Sequence, residues 1–393
     1  MKGRVFILTN DPVPFGTANA NYIRNFAKAV GFTGMEVVVI GMKNIPEKTK
    51  LCYNCSSDKI QFWNLNGSKA GCKNYINVCF NYKKQFRMAL EYFEAQKNDY
   101  IVVYSTELDT AKAAIEYSII PNNHKAFCEV EWFQPYQYKY GRFNPLYIFW
   151  NIGFQYRMRK FYKAIPISTN LERLFARKKC ETLVVPALVD TDDMRAKRDM
   201  DDEYVHLIYP GAASDKDSFP CMIKAIWSIG IEKRRKLKFH LTGSMTCEKL
   251  LAILGEDEAI INDIKDNLVF HGWLEYDDLM RLYGKIDFLL IAREKNIVTL
   301  SNFPSKVPEM MSYGVIPVCS AVGDYTTLYL RDGIDSIQFK EDSVSSCAEA
   351  ICKAMEVKNS FKFIEMQKSA RETAVKKLDY RNWGEKIVDF LQN

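Results

Sequence analysis

The chain has 393 residues, more than one hydrophobic core usually serves, so two domains are expected. With 48% hydrophobic, 26% charged and 13% aromatic residues it reads as an ordinary globular chain, which excludes broad disorder. The net charge of +6 is a slight pointer to an anionic ligand or surface, and no apolar run reaches the ~18–20 residues that cross a bilayer.

Met1–Asn10 holds too short an apolar stretch for a signal peptide and no small-residue cleavage site. It reads as a first strand, and a cytosolic chain is the expectation. The eleven cysteines are an odd, scattered set, which suits reduced, mostly buried thiols. Cys52 and Cys55 have CxxC spacing, but Cys72 and Cys79 do not repeat it, so free cysteines are favoured over a structural zinc.

Short apolar runs then alternate with amphipathic stretches. Val5–Thr9, Val37–Ile40, Ile101–Tyr104, Ala126–Val130, Ile165–Ser168 and Leu183–Val185 read as strands. Ala18–Val30, Tyr82–Gln96 and Thr110–Tyr117 read as helices between them. Asp190–Glu203 is polar and acidic, as a linker would be. The pattern restarts with strands Val205–Tyr209, Leu237–Leu241, Leu268–Phe270, Phe288–Ile291 and Ile316–Cys319, and helices Pro220–Ile229, Tyr276–Gly284 and Lys306–Tyr313. The expected fold is α/β, two Rossmann-like doubly wound domains facing across a cleft. The boundaries expected are 1–190, a linker over 191–203, 204–378, and a C-terminal helix over 379–393 that packs back on the first domain. Ligands of such sheets bind outside the carboxyl ends of the strands.

Those ends carry the candidate site. Gly16 and Thr17 open the first helix, where glycine lets backbone N–H groups approach an anion or sugar hydroxyl. Neither GxGxxG nor GxxxxGK[ST] is present, which removes the signatures of dinucleotide dehydrogenases and P-loop hydrolases. In the second half, Gly211, Ser214, Lys216 and Asp217 lie between a strand and a helix. Arg293 follows a strand, and Ser301–Val318 runs from loop to helix to strand. Ser305 and Lys306 start that helix, and Glu309 lies one turn on, placed to accept two ribose hydroxyls. The spacing alone also allows a capped helix with a surface Lys306–Glu309 pair.

These segments resemble the retaining GT-B glycosyltransferases of family 4, which make bacterial surface polysaccharides. The resemblance runs in order through the Gly-Thr helix start, Leu183–Asp192, Gly211 with Lys216-Asp217, His271-Gly272-Trp273, the Ser301–Val318 block and Gly323-Asp324. It implies a catalytic set of Lys216, Lys306, Glu309 and Glu131, with Gly16, Thr17, Gly211, Ser214, Arg293, Phe303, Pro304 and Ser305 binding the donor. The chain departs from the family's commonest pattern at Ser301, where a glutamate is usual, and at Ala212, where an arginine is usual. Glu131, in Cys128-Glu129-Val130-Glu131-Trp132, stands nearest the place of a common histidine.

The resemblance implies transfer of a sugar from a nucleotide sugar, UDP-linked by preference, to a saccharide or lipid-linked acceptor. No cofactor and no metal are expected. Asp190-Thr191-Asp192 and Asp215-Lys216-Asp217 match Asp-x-Asp, a manganese signature, but structural or solvated roles suit them better. The four histidines lack metal-ligand spacing, and packing is the expected role of His206, His240 and His271. One alternative is a GT-B protein that binds sugar nucleotide without transfer, or an epimerase or phosphorylase; Ser301 keeps it open. A more distant alternative is nucleic-acid binding through Lys233–Lys238, a run without aromatics that reads as a solvated turn.

The stretch Tyr138–Lys163 has six basic residues, ten aromatics and no acid. Phe149, Trp150, Phe154 and Phe161 can form an apolar face with Arg157, Arg159, Lys160 and Lys163 beside it, as in a covering helix with aromatics in the core and bases in water. The favoured reading adds that the exposed basic and aromatic residues rest on the anionic inner membrane leaflet.

Overall fold

The computed structural model describes every residue except 1–2, 44–50, 58, 68–71, 105–107, 136–138, 194–201, 212–215, 256–257 and 342, and only the backbone of 51–57, 72–81, 258 and 276. Ser214, Asp215 and the side chains of Cys52, Cys55, Cys72 and Cys79 therefore lie outside the described residues. The chain divides into two units, Met1–Leu188 with Tyr380–Asn393, and Val189–Asp379.

The first unit is built on strands β1 (Val5–Leu8), β2 (Val37–Lys43), β3 (Leu51–Ser57), β4 (Ile60–Asn66), β5 (Tyr100–Tyr104), β6 (Lys125–Glu129), β7 (Lys163–Pro166) and β8 (Glu181–Thr182). They form one sheet in the order β3-β4-β2-β1-β5-β6-β7-β8, parallel except for the β3–β4 pair. The residues of β1, β5 and β6 are all buried, as in strands covered on both faces. The helix Ala18–Phe32 covers part of the sheet. Thr17 caps it by accepting the Ala20 N–H at 3.0 Å, and Ile23, Ala27 and Val30 are buried at helical spacing. The C-terminal helix Gly384–Gln392 packs in this unit. A Cβ on Gly384 would lie 2.3 Å from the Ala29 carbonyl oxygen, so the close approach of the two helices requires glycine.

The second unit has β9 (Val205–Tyr209), β10 (Leu237–Thr242), β11 (Leu268–Gly272), β12 (Phe288–Ile291), β13 (Ile316–Ser320) and β14 (Ile337–Phe339). Their order is β11-β10-β9-β12-β13-β14, and every pairing is parallel. Alternate residues such as Leu207, Phe239, Leu241, Leu290 and Val318 enter a core with Met222 and Ile226 of the helix Phe219–Ser228 and Ile351 of the helix Val344–Lys358. Both sheets have the expected α/β, doubly wound character.

Several local expectations need correction. Leu183–Val185 is not a laddered strand. Leu183 and Val185 donate to the carbonyls of Ala164 and Pro166, but Pro166 has no N–H to return, and Pro186 ends the run. The β3–β4 hairpin was not foreseen, because Gln61, Asn64 and Asn66 break the apolar signal. Arg157 and Lys163 do not lie on a surface. Arg157 is fully enclosed and paired with Glu129, while Lys163 is buried and donates to the Leu391 carbonyl at 3.0 Å. Of the cysteines described with their side chains, Cys128, Cys180, Cys221, Cys319 and Cys347 are buried free thiols.

Candidate functional site

The parallel register of the second unit sets the carboxyl ends of β9, β12 and β13 side by side. Three ionised side chains from these ends converge. Asp217, just before the helix Phe219–Ser228, accepts from Arg293 Nε at 2.6 Å and from the Tyr209 hydroxyl, and it lies 3.5 Å from Lys306 Nζ. Arg293 is held further: its backbone N–H donates to Ser320 Oγ at 2.8 Å and Nη1 to Asn302 Oδ1 at 3.0 Å. The Lys306 ammonium also stands 3.3 Å from the centroid of the Tyr209 ring, a cation–π contact. The side chains of Asp217 and Arg293 are 1% and 4% exposed, whereas that of Lys306 is 20% exposed.

The electrostatics follow from this enclosure. Burial alone would raise the Asp217 carboxyl, but Arg293, Lys306 and the Tyr209 hydroxyl outweigh it and hold the group down at about 2. Burial lowers Lys306 to about 8 against the pull of Asp217, with Arg293 and Lys216 adding to the lowering. Asp217 keeps Arg293 charged despite its burial.

Around this cluster, Gly211 sits at φ +88 and donates its N–H to Thr242 Oγ1 at 2.8 Å. A Cβ there would meet nothing within 4 Å, so backbone conformation and not crowding favours glycine. Ser305 precedes the helix Lys306–Ser312, and Ser305 and Glu309 are half-buried one turn apart. Phe303 is buried with its ring edge-on to Tyr325 and Tyr329, at 6.0 and 5.4 Å, and Pro304 is buried beside it in sequence. These two residues anchor the loop. Burial pushes the Tyr329 hydroxyl up to about 12. Ser301 is buried at the end of the short helix Ile297–Leu300, which Asn296 and Thr299 close with a capping box.

In the first unit Gly16 adopts φ +116 and Thr17 is occupied as the helix cap. Glu131 is half-buried just beyond β6. Its neighbour in sequence, Glu129, is taken up by Arg157, whose Nε and Nη1 have no hydrogen-bond partner.

The histidines hold a feature that spacing did not show. His206 Nδ1 lies 2.8 Å from His240 Nε2, and His240 Nδ1 lies 2.8 Å from His271 Nε2. Asp202 closes the row at His206 Nε2, 2.9 Å away. The parallel register pairs His206 with Lys238 and His240 with Val269, so each histidine meets the next on a diagonal that only the sheet reveals. Among the described residues no group of three or more His, Cys, Asp or Glu is placed to hold a metal ion.

Residues 205–356 match the family model of the glycosyl transferases group 1. No curated protein matches the chain. Among solved structures, sucrose-phosphate synthase from Thermosynechococcus elongatus has a TM-score of 0.72 at 13% identity, covering 99% of this chain and 98% of that one. Anabaena Alr3699/HepE in complex with UDP and glucose gives 0.69 at 12%, covering 100% of both chains. WaaG, a glycosyltransferase involved in lipopolysaccharide biosynthesis, gives 0.66 at 14%, covering 99% of this chain and 100% of that one. At these identities the likeness shows a fold, that of the GT-B glycosyltransferases.

Proposed function

We propose that the chain is a retaining glycosyltransferase that moves a sugar from a UDP-linked donor to a saccharide acceptor, lipid-linked in surface polysaccharide synthesis. The observation that carries this is the Asp217–Arg293–Lys306 cluster at the strand ends, inside the stretch that matches the group 1 glycosyl transferases. Lys306 and Lys216 face the diphosphate, Ser305 adds a hydroxyl and Glu309 takes the ribose. The UDP and glucose bound by HepE, and the lipopolysaccharide role of WaaG, support the donor and acceptor classes.

In the reaction the bond from the sugar carbon to the diphosphate oxygen breaks, and the acceptor hydroxyl attacks from the same face. Its proton passes to the departing oxygen. Fixed cations that meet the charge of the leaving group lower the barrier, and losing one such contact costs ~3 kcal/mol, roughly a hundredfold in rate. No carboxylate nucleophile is required. Glu131 is assigned to polarise the acceptor or donor sugar.

The test is titration with UDP. Glu309→Ala should weaken binding through the ribose and Lys306→Ala through the diphosphate, each by about tenfold or more with the thermal midpoint of the free protein held. Unchanged curves for both variants would remove the assignment.

A further inference from the structure

The geometry points to Asp217 as the positioning residue of this site: its enclosed carboxylate aims and charges Lys306 toward the leaving diphosphate without touching the substrate. This rests on the sugar-nucleotide reading above and names the residue that makes its principal cation effective.

The three contacts on Asp217 are unequal. Arg293 Nε, at 2.6 Å, has the length of a charge-assisted hydrogen bond, and that guanidinium is further fixed by Asn302. Arg293 is also 4% exposed, so it is part of the framework and not a free hand for a ligand. The Tyr209 hydroxyl is a second fixed donor. Lys306 is the loose member, 3.5 Å away and 20% exposed. An ammonium has three N–H donors. One is directed to Asp217 and another side of the group lies over the Tyr209 ring, which leaves a donor for a phosphate oxygen.

Charge bookkeeping gives the same answer. One carboxylate against a guanidinium and an ammonium leaves the trio with a single net positive charge. Without Asp217, two cations would share an enclosed space, and the more weakly held ammonium would lose its proton first. Among the described residues, the titratable groups acting on Lys306 include Asp217, Arg293, Tyr209 and Lys216, and of these Asp217 is the acid that acts to keep its proton on.

The experiment follows UDP affinity and the reactivity of the Lys306 amine against pH, in the wild type, Asp217→Asn and Asp217→Glu. In the wild type, affinity should fall as pH rises through about 8, where Lys306 loses its proton. In Asp217→Asn that midpoint should move down by about one pH unit or more, and Asp217→Glu should restore it. Amine reactivity, read by acylation and mass spectrometry on the free protein, should shift alike. Lys306→Arg, with Asp217 intact, should abolish the alkaline decline and serves if Asp217→Asn does not fold. An unmoved midpoint in both readouts, or an alkaline decline that survives Lys306→Arg, overturns the inference. A wild type that binds no UDP at any pH sinks the nucleotide-sugar reading instead, while the amine readout still decides the role of Asp217.

Discussion

His240 is the middle ring of a row in which both of its nitrogens are engaged. Neutral rings suit this row, since each ring-to-ring contact uses one proton and the far end can donate to Asp202. Burial is the largest reason that His240 is lowered to about 3, and its neighbours His206 and His271 add to it. The sign of the consequence is fixed by linkage. The unfolded chain takes up a proton near pH ~6.5 while the folded ring resists it, so this contribution is complete above that pH. It is lost progressively as pH falls from there toward about 3. Urea unfolding of the wild type between pH 7 and 5 should therefore show a falling midpoint, and His240→Gln should flatten the slope. Parallel slopes would mean that His240 is as readily protonated folded as unfolded. Arg157 shows the opposite economy: a guanidinium with two unpartnered nitrogens is kept enclosed by one carboxylate, Glu129.

The helix Pro145–Lys160 has two characters along its length. Asn144 caps it by accepting the Leu146 N–H, and Trp150, Phe154 and Met158 turn inward at i, i+4, i+8. Leu146, Ile148 and Ile152 are exposed, as are Tyr140 and Phe143 just before the helix and Tyr162 just after it. Lys139, Arg142, Arg159 and Lys160 are exposed in the same stretch, which has no acidic residue. We propose that this face rests on an anionic membrane, which brings a lipid-linked acceptor to the first unit. Each base near such a surface contributes ~1 kcal/mol. Replacing Lys139, Arg142, Arg159 and Lys160 by Gln should then reduce co-sedimentation with anionic vesicles by about two orders of magnitude or more. Binding indifferent to lipid charge and to these changes would leave the segment a covering helix only.

At this scale the sequence was most legible where apolar period and punctuation agree. Val205–Tyr209 before Pro210-Gly211 and Phe288–Ile291 are found as read. It was least legible where a partner far along the chain decides. Nothing near Arg157 announces Glu129, 28 residues away, and nothing near Asp217 announces Arg293, 76 residues away. Lys306 is picked out at a helix start, but the sequence assigns Asp217 only a structural or solvated role and does not join it to Lys306. Long-range pairing across parallel strand ends has no local periodicity to betray it.

At the scale of the whole chain, one carboxylate of each Asp-x-Asp is taken up by the structure, where a metal-dependent transferase would aim it at a diphosphate. Asp217 is enclosed by Arg293, Tyr209 and Lys306. In the other Asp-x-Asp, Thr191 is buried, with its N–H and hydroxyl donated to Asp379. Asp190 there accepts the Asp192 N–H, a local turn beside the Val189–Asp379 bridge. Among the described residues, Asp217 and Asp190 are each engaged within the protein, whereas Lys306 presents a partly exposed cation, and the chain carries a net charge of +6. On the proposed reading, leaving-group charge is met by side chains, which need no divalent ion to bridge to carboxylates. Sugar transfer from the cognate UDP-sugar should persist in excess EDTA at close to its full rate. The assay is release of UDP with and without chelator, followed by addition of manganese. Activity that vanishes with EDTA and returns with manganese would overturn this and restore a metal to the site. Activity unaffected by either addition would leave Lys306, steered by Asp217, as the charge that the departing diphosphate meets.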